Sequence, residues 1–569
     1  MKKMIKALLL LVLAVGGGYV GYDMYQKKKA ADEAEAQRLY EEEQRRLEEE
    51  RRTEVLYLAA EGFMRDITDR EGNVYTLPRG TAMDVRVHPT EEEDGTSFHL
   101  AFYDGKEFAM QEEDFKRSLE EVVTETEGYL TLPVVLYENS TGVEIDGMLN
   151  KGSHVYLRGF GSLQADGSVD RYYVECDDRH GWVRSKYVVF AEDQVPDTVD
   201  PVHYEREDRF GGGNAYTLDY PDWEKPHFEN NVMPRECRTL YLNRATIDGI
   251  DAYIELANNS GINAFVIDMK ESDGSGYKSP VMEQYSTSSY ESGFNSLEAF
   301  KEAVQKCKDN GIYVIGRIVT FKDDMYAKDH PENVLAVNGT GEPFKLAGAY
   351  WPSAFSREVW EYNCKLAIEG VEEIGFNEIQ FDYVRFPDRI YFYRDSMDFR
   401  NYYDESMAQA INRFLMYVTD ELHERGAYVS ADVFGETSND YVCAYGQYWP
   451  MMSNIVDVMS AMPYPDHFET NAYGIYPAVW TQPGQLLWNW GLYVKARQEE
   501  TKHPAVVRTW IQGYDTYKDP ATVYDVYKII DQIEGLYRND LDGGYMIWNS
   551  PSELWRYYSY RDAFTVRRE

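Results

Sequence analysis

Asn377-Glu378-Ile379-Gln380-Phe381-Asp382-Tyr383-Val384-Arg385-Phe386-Pro387 (NEIQFDYVRFP) is the stretch that decides how this chain reads. Its alternation predicts a strand, with Ile379, Phe381 and Tyr383 on one side and Gln380 and Asp382 on the other. A core strand does not carry a carboxylate on an inner face without a use for it, because burying a charge is costly unless it is paired. Asp382 is therefore a candidate for chemistry.

From Arg235 onward, short apolar strands alternate with helical stretches on both sides of this motif. The expected strands are 239–244, 262–270, 313–320, 378–384, 428–436, 456–464, 506–512 and 544–548. The helical candidates are 247–258, 297–309, 357–374, 405–425 and 523–536. Strand-helix alternation implies a parallel sheet with crossovers. Eight such strands predict an α/β (β/α)8 TIM barrel over 235–569. A doubly wound sheet is the alternative, but the glycine-rich loop that would follow its first strand is absent from the sequence.

A barrel places its working residues at the C-terminal ends of its strands. There the sequence turns polar repeatedly: Asp268 and Lys270 on the second strand, Arg317 on the third, Gln380 and Asp382 on the fourth with Arg385 just after. Asp432 and Glu436 follow on the fifth, Tyr464 on the sixth, Arg508, Trp510 and Gln512 on the seventh, Trp548 and Asn549 on the eighth. This convergence outweighs any single residue. Salt-bridged rim pairs (Asp268 with Lys270), counter-ions (Arg317, Arg385) and core plugs (Trp510, Trp548) are the plainer readings of the same side chains.

The chain has 98 acidic and 58 basic residues, a formal net charge of −40, which argues against a nucleic-acid partner. Its five cysteines form no CxxC pair, and its ten histidines form no HExxH. Neither a disulfide scaffold nor a zinc site is expected, and no cofactor is called for. A calcium site at Asp273-Gly274-Ser275-Gly276 lacks a recognisable ligand spacing. Carboxylates without histidine or cysteine point to glycoside hydrolysis, which needs one acid and one ionised carboxylate. Asp382, close to Arg385, suits the ionised role. Glu436 suits the acid, because its longer side chain reaches farther. Asp432 either positions Asp382 or replaces it. Asp268, Lys270, Arg317, Gln380, Arg385, Tyr464, Trp510, Gln512, Trp548 and Asn549 are the candidate substrate-binding residues. Two other classes stay open: a non-catalytic polysaccharide-binding module and a metal-dependent deacetylase.

Before the barrel, residues 1–27 read as a targeting segment: lysines, an apolar run Ala7–Tyr22, then more lysines. A single-pass signal anchor with the bulk outside is expected, a cleaved signal peptide being the alternative. Residues 28–53 are a charged helical stalk, 54–122 and 123–192 two small β-rich domains, and 193–234 a linker rich in Asp, Pro and Gly. In the second β domain, Gly147-Met148-Leu149-Asn150-Lys151-Gly152-Ser153-His154-Val155-Tyr156-Leu157 and Gly181-Trp182-Val183 resemble bacterial SH3-like domains of cell-wall proteins. Tyr75–Val85 resembles them less closely.

FDYVRFP after a strand, in this strand order, resembles the glycoside hydrolase TIM-barrel family of bacterial exported proteins, formerly a domain of unknown function. Val266-Ile267-Asp268-Met269-Lys270, Asp432-Val433-Phe434-Gly435 and Met462-Pro463-Tyr464-Pro465 match its other recurrent segments. The resemblance, which extends distantly to amylase-like barrels, implies a nucleophilic Asp382 and an acid Glu436. It also implies a carbohydrate substrate, with peptidoglycan or another wall glycan in view. The chain departs from the amylase-like pattern at Gln380, where that pattern has Arg, and in lacking a His-Asp pair after the seventh strand.

Overall fold

The computed structural model describes residues 2–92, 95–197, 205–541 and 543–567, with the side chains of 12–19 excepted. The expected linker 193–234 thus falls partly outside the described residues. The chain forms two compact units, 1–126 with 159–172, and 127–158 with 173–569.

The first unit holds a long helix, Lys2–Arg51, and a six-stranded antiparallel sheet. The sheet buries Leu58, Met83, Val85, Ala101, Phe108 and Phe115 on its inner face. Among the described residues, no helix is long and apolar enough to cross a membrane. That overturns the expected single-pass anchor. A spanning helix needs about 17–25 apolar residues, whereas Ala7–Tyr22 is shorter and is bounded by Lys6 and Asp23.

The second unit contains the barrel. Its strands are β1 Cys237–Leu242, β2 Ala264–Glu271, β3 Tyr313–Val319, β4 Glu378–Asp382, β5 Tyr428–Phe434, β6 Val458–Met462, β7 in two pieces (Val506–Val507 and Thr509–Gln512) and β8 Gly544–Trp548. All neighbours pair in parallel, and β8 returns to β1 with Ile547 opposite Leu240. The ring closes through β7. Its first piece pairs with β6 and its second with β8, and the backbone N–H of Arg508 between them donates to Met459 O at 3.0 Å. Helices α1 Ile250–Asn258, α2 Leu297–Asp309, α3 Arg357–Glu369, α4 Met407–His423, α5 Trp449–Ile455, α6 Pro483–Glu499 and α7 Val526–Tyr537 form the outer layer. Serine caps start α2, α3 and α4; Ser406 and Gln409 close a capping box on α4.

The barrel interior is filled in layers, as in TIM barrels generally. At the bottom, Arg508 donates to Glu378 at 2.8 Å and Tyr313 OH donates to the other oxygen of Glu378 at 3.0 Å. The pair is fully buried, so both charges depend on each other. Above it, Gln380 donates to Ser460 at 3.1 Å. The top layer carries the candidate site.

Within the same unit, the strands Ile145–Leu149 and Val134–Tyr137 pack on α3 and α4. Arg184 pairs with Asp420 and Glu421, and Tyr187 OH donates to Asp420 at 2.9 Å. The described part of 193–234 lies on the barrel. Lys225 donates to the carbonyls of Ser453, Asn454 and Val456, and burial lowers its pKa to about 8. Asn231 donates to the carbonyls of Asn377 and Gly426.

Candidate active site

One guanidinium organises the top of the barrel. Arg317, on β3, donates to Asp268 at 2.6 Å, to Asp382 at 2.5 Å and to Glu271; its Nε lies 3.9 Å from Asp432. Its side chain is only 3 % exposed, so these are pairings in a low dielectric. One cation faces four carboxyl groups, and they cannot all ionise. The charges separate accordingly. Burial pushes Asp268 up to about 7, Arg317 opposing and Glu271 adding to the rise. Burial also acts to raise Glu271, but the Arg317 guanidinium outweighs it and holds that carboxyl low. Asp432 is driven well above the usual carboxylate range by burial and by the charge of Asp382.

Asp382 ends β4. Its Oδ1 accepts the backbone N–H of Tyr383 at 2.6 Å, while Oδ2 faces Arg317. Tyr383 has φ of 50°, a left-handed conformation, so the strand stops at Asp382 rather than at Val384. Asp432 accepts from Trp510 Nε1 at 2.8 Å, and its Oδ2 has no hydrogen-bond partner among the described residues. The Asp432 side chain has no exposed surface. It stands beside Asp382, whose charge acts on it, and lines the same pocket.

A pocket of about 150 Å³ opens above this layer, lined by Arg317, Asp382, Arg385, Tyr464, Trp548 and His467 among others. Trp548 is half-buried, and Arg317 lies 5.3 Å from its ring centre. Arg385 is stacked against Phe434 at 4.1 Å and paired with Asp388 at 3.0 Å. Phe434, Met462 and His467 also line a second, wider cleft of about 990 Å³. Burial lowers the pKa of His467.

Glu436 lies in the wider cleft, on the turn Gly435–Ser438 that follows β5. Its two oxygens accept from Tyr441 OH at 3.1 Å and Tyr445 OH at 2.6 Å. Asp382 and Glu436 thus face two adjoining cavities with a shared wall. The wider cleft has rings on several sides, Phe210, Tyr391, Phe468, Tyr473 and Tyr493 among them.

Several sequence-chosen residues sit elsewhere. Lys270 does not share a face with Asp268. The β2–β3 register slips between those two residues, so Lys270 turns outward to Asp323 at 2.7 Å and Glu271 takes the inward position. That bulge is why Glu271 escaped an argument from strict alternation. Gln380 is wholly buried below the pocket. Trp510 is only 1 % exposed and lines the smaller pocket from within the core. Gln512 is buried as well, bracing the loop at Asp466, whose N–H it accepts at 3.1 Å. Asn549 is buried beside the site, with an Nδ2 that has no partner among the described residues. Among the described residues no group of three or more His, Cys, Asp or Glu is placed to hold a metal ion.

Residues 239–554, more than half of the chain, match the model of a family described as a putative glycosyl hydrolase domain. No curated protein matches the chain. Among solved structures, it is similar to a hypothetical protein from Ruminiclostridium thermocellum (33 % identity over 34 % of this chain and 97 % of that one, TM-score 0.29). It is also similar to the PgaB (BpsB) glycoside hydrolase domain from Bordetella bronchiseptica (12 % identity, 58 % and 99 % covered, TM-score 0.42). A third is the alpha-galactosidase TtGalA from Thermus thermophilus (10 % identity, 89 % and 95 % covered, TM-score 0.36). With TM-scores below 0.5, none of the three bears on the chemistry.

Proposed function

The chain belongs to the putative glycosyl hydrolase family whose model covers residues 239–554, and as a glycoside hydrolase we propose that it cleaves a poly- or oligosaccharide with Asp382 and Glu436. Asp382 is the ionised carboxylate, acting as nucleophile or as base on water. Glu436 protonates the departing glycosidic oxygen. The observation that carries this reading is the opposite bonding of the two groups. Asp382 faces a buried guanidinium at 2.5 Å, whereas the carboxyl oxygens of Glu436 accept from the neutral hydroxyls of Tyr441 and Tyr445. A cation beside a carboxyl favours its charged form. Asp432, Asp268 and Glu271 share the remaining charge around Arg317 and hold Asp382 in place.

The sugar ring at the cleaved bond occupies the smaller pocket against Trp548, and the leaving portion extends into the wider cleft. The amphipathic rings there suit the apolar faces of sugars. The β domains at 54–122 and 123–192 belong to the same proposal as SH3-like modules flanking the enzyme.

The test uses phenyl and dinitrophenyl glycosides of glucose, galactose and N-acetylglucosamine in both anomers. Asp382→Asn should lose activity on both leaving groups. Glu436→Gln should lose it on the phenyl glycoside but keep it on the dinitrophenyl glycoside, whose leaving group departs without protonation. An Asp382→Asn variant as active as the wild type would overturn the assignment.

A further inference from the structure

The segment just before the barrel reaches into the wider cleft. Arg206 and Phe210 line that cleft, although both lie outside the family-matched residues. Arg206 Nη1 donates to Tyr441 OH at 2.5 Å, and that hydroxyl donates in turn to Glu436. The guanidinium also lies 4.7 Å from the ring centre of Tyr441 and pairs with Asp208 at 2.8 Å.

The strap is fastened immediately after Arg206. Gly212 N donates to Val442 O at 2.7 Å, and Gly211 bridges Cys443. Arg394 donates to Gly211 O at 3.2 Å and to Ala444 O at 3.1 Å. The glycines make this approach possible. A Cβ on Gly212 would fall 2.0 Å from Cys443 O, and one on Gly211 would fall 1.9 Å from Arg206 O. Gly211 and Gly212 therefore work here as a docking element, at positions where a side chain does not fit, while Gly213 supplies a left-handed turn at φ 110°.

We infer that Arg206 is a positioning residue for Glu436, carried by the strap 206–213, so that the family-matched barrel alone lacks part of its acid site. This rests on the reading of Glu436 as the acid. Because the oxygen of Tyr441 accepts from Arg206, its proton is committed to Glu436. Tyr445 donates to the other oxygen. The carboxyl plane is thereby fixed on both sides. A group of this kind orients the residue that reacts.

The experiment uses the full chain with Arg206→Ala, Arg206→Lys and Tyr441→Phe, assayed on the phenyl and dinitrophenyl glycosides above. Arg206→Ala should lower kcat on the phenyl glycoside by about 10- to 100-fold, the range for lost outer-shell support. The fall in kcat should exceed any rise in KM, because the lost interaction acts on the acid. The dinitrophenyl substrate should show no loss. Arg206→Lys, which keeps the charge and one donor, should recover part of the phenyl activity and serves if the alanine variant fails to fold. Equal losses on both leaving groups, or no loss on either, would overturn the inference. Glu436→Gln in the same plates separates the two claims. If it loses only phenyl activity while Arg206→Ala is normal, the strap's role falls and the acid assignment stands. If Glu436→Gln is active on both, the acid assignment falls and takes this inference with it.

Discussion

Replacing Arg317 by Met removes the guanidinium that faces four carboxyl groups while keeping much of the side-chain volume. The wild-type guanidinium is 3 % exposed and bonded to Asp268, Glu271 and Asp382. Breaking a buried pair by deleting one partner costs about 3–5 kcal/mol, chiefly because the other charge is left uncompensated. That cost depends on pH, and its sign follows from linkage. Without Arg317, the carboxyls have folded-state pKa values above their unfolded values. The folded variant then binds more protons than the unfolded one, and its stability falls as pH rises through that window. The variant should lose about 3–5 kcal/mol relative to wild type at pH 7.5 and clearly less at pH 5. Urea titrations followed by tryptophan fluorescence at the two pH values measure this, Trp510 and Trp548 lying next to the site. A loss below about 1 kcal/mol at pH 7.5, or a loss that does not shrink at pH 5, would refute the charge-separation argument.

Three other substitutions test separate parts of the site. Asp432→Asn mimics the neutral form favoured in the folded protein and keeps an acceptor for Trp510. Its stability relative to wild type should rise between pH 4 and pH 8, because only the wild type loses stability as pH climbs from the unfolded toward the raised folded pKa; urea midpoints that stay parallel would count against it. Trp548→Ala should raise KM about tenfold on an oligosaccharide, equivalent to ~1.4 kcal/mol, with a smaller change in kcat; an unchanged KM would remove the ring from the binding surface. Lys270→Met breaks the buried pair with Asp323 and should cost about 3–5 kcal/mol of stability. Kinetic constants of the folded variant should be unchanged, and an altered KM would return Lys270 to the cleft.

The barrel was legible because its strands repeat one signal eight times. Leu297–Asp309 is a helix with the boundaries expected from its amphipathic spacing. Helix α6 was missed for a physical reason. Gly484 and Gly491 weaken its local helix propensity, yet they let neighbouring backbone and side chains approach: a Cβ on Gly484 would fall 2.6 Å from Asp531 O, and one on Gly491 2.3 Å from the Asn539 amide. Tertiary contact overrode local propensity there. Asp268, Asp382, Asp432 and Arg317 were found by parity at the strand ends, and they do converge on one layer. Parity failed where backbone geometry changed, at the β2 bulge that swaps Lys270 for Glu271. It also gave no access to contacts between distant segments, which is why Arg206 carried no signal, nor to the loop after β5 that brings Tyr441 and Tyr445 back to Glu436. The expected membrane anchor failed on length, the quantity its apolar run was least able to supply.

The most direct test of the central claim is the release of new reducing ends from a panel of polysaccharides and peptidoglycan, comparing wild type with Asp382→Asn. The account predicts reducing ends from at least one glycan with the wild type. With Asp382→Asn it predicts a loss of at least about a thousandfold, with binding to that glycan retained. Equal release by both proteins would contradict the role given to Asp382, and release of none from any glycan would contradict glycoside hydrolysis at this site.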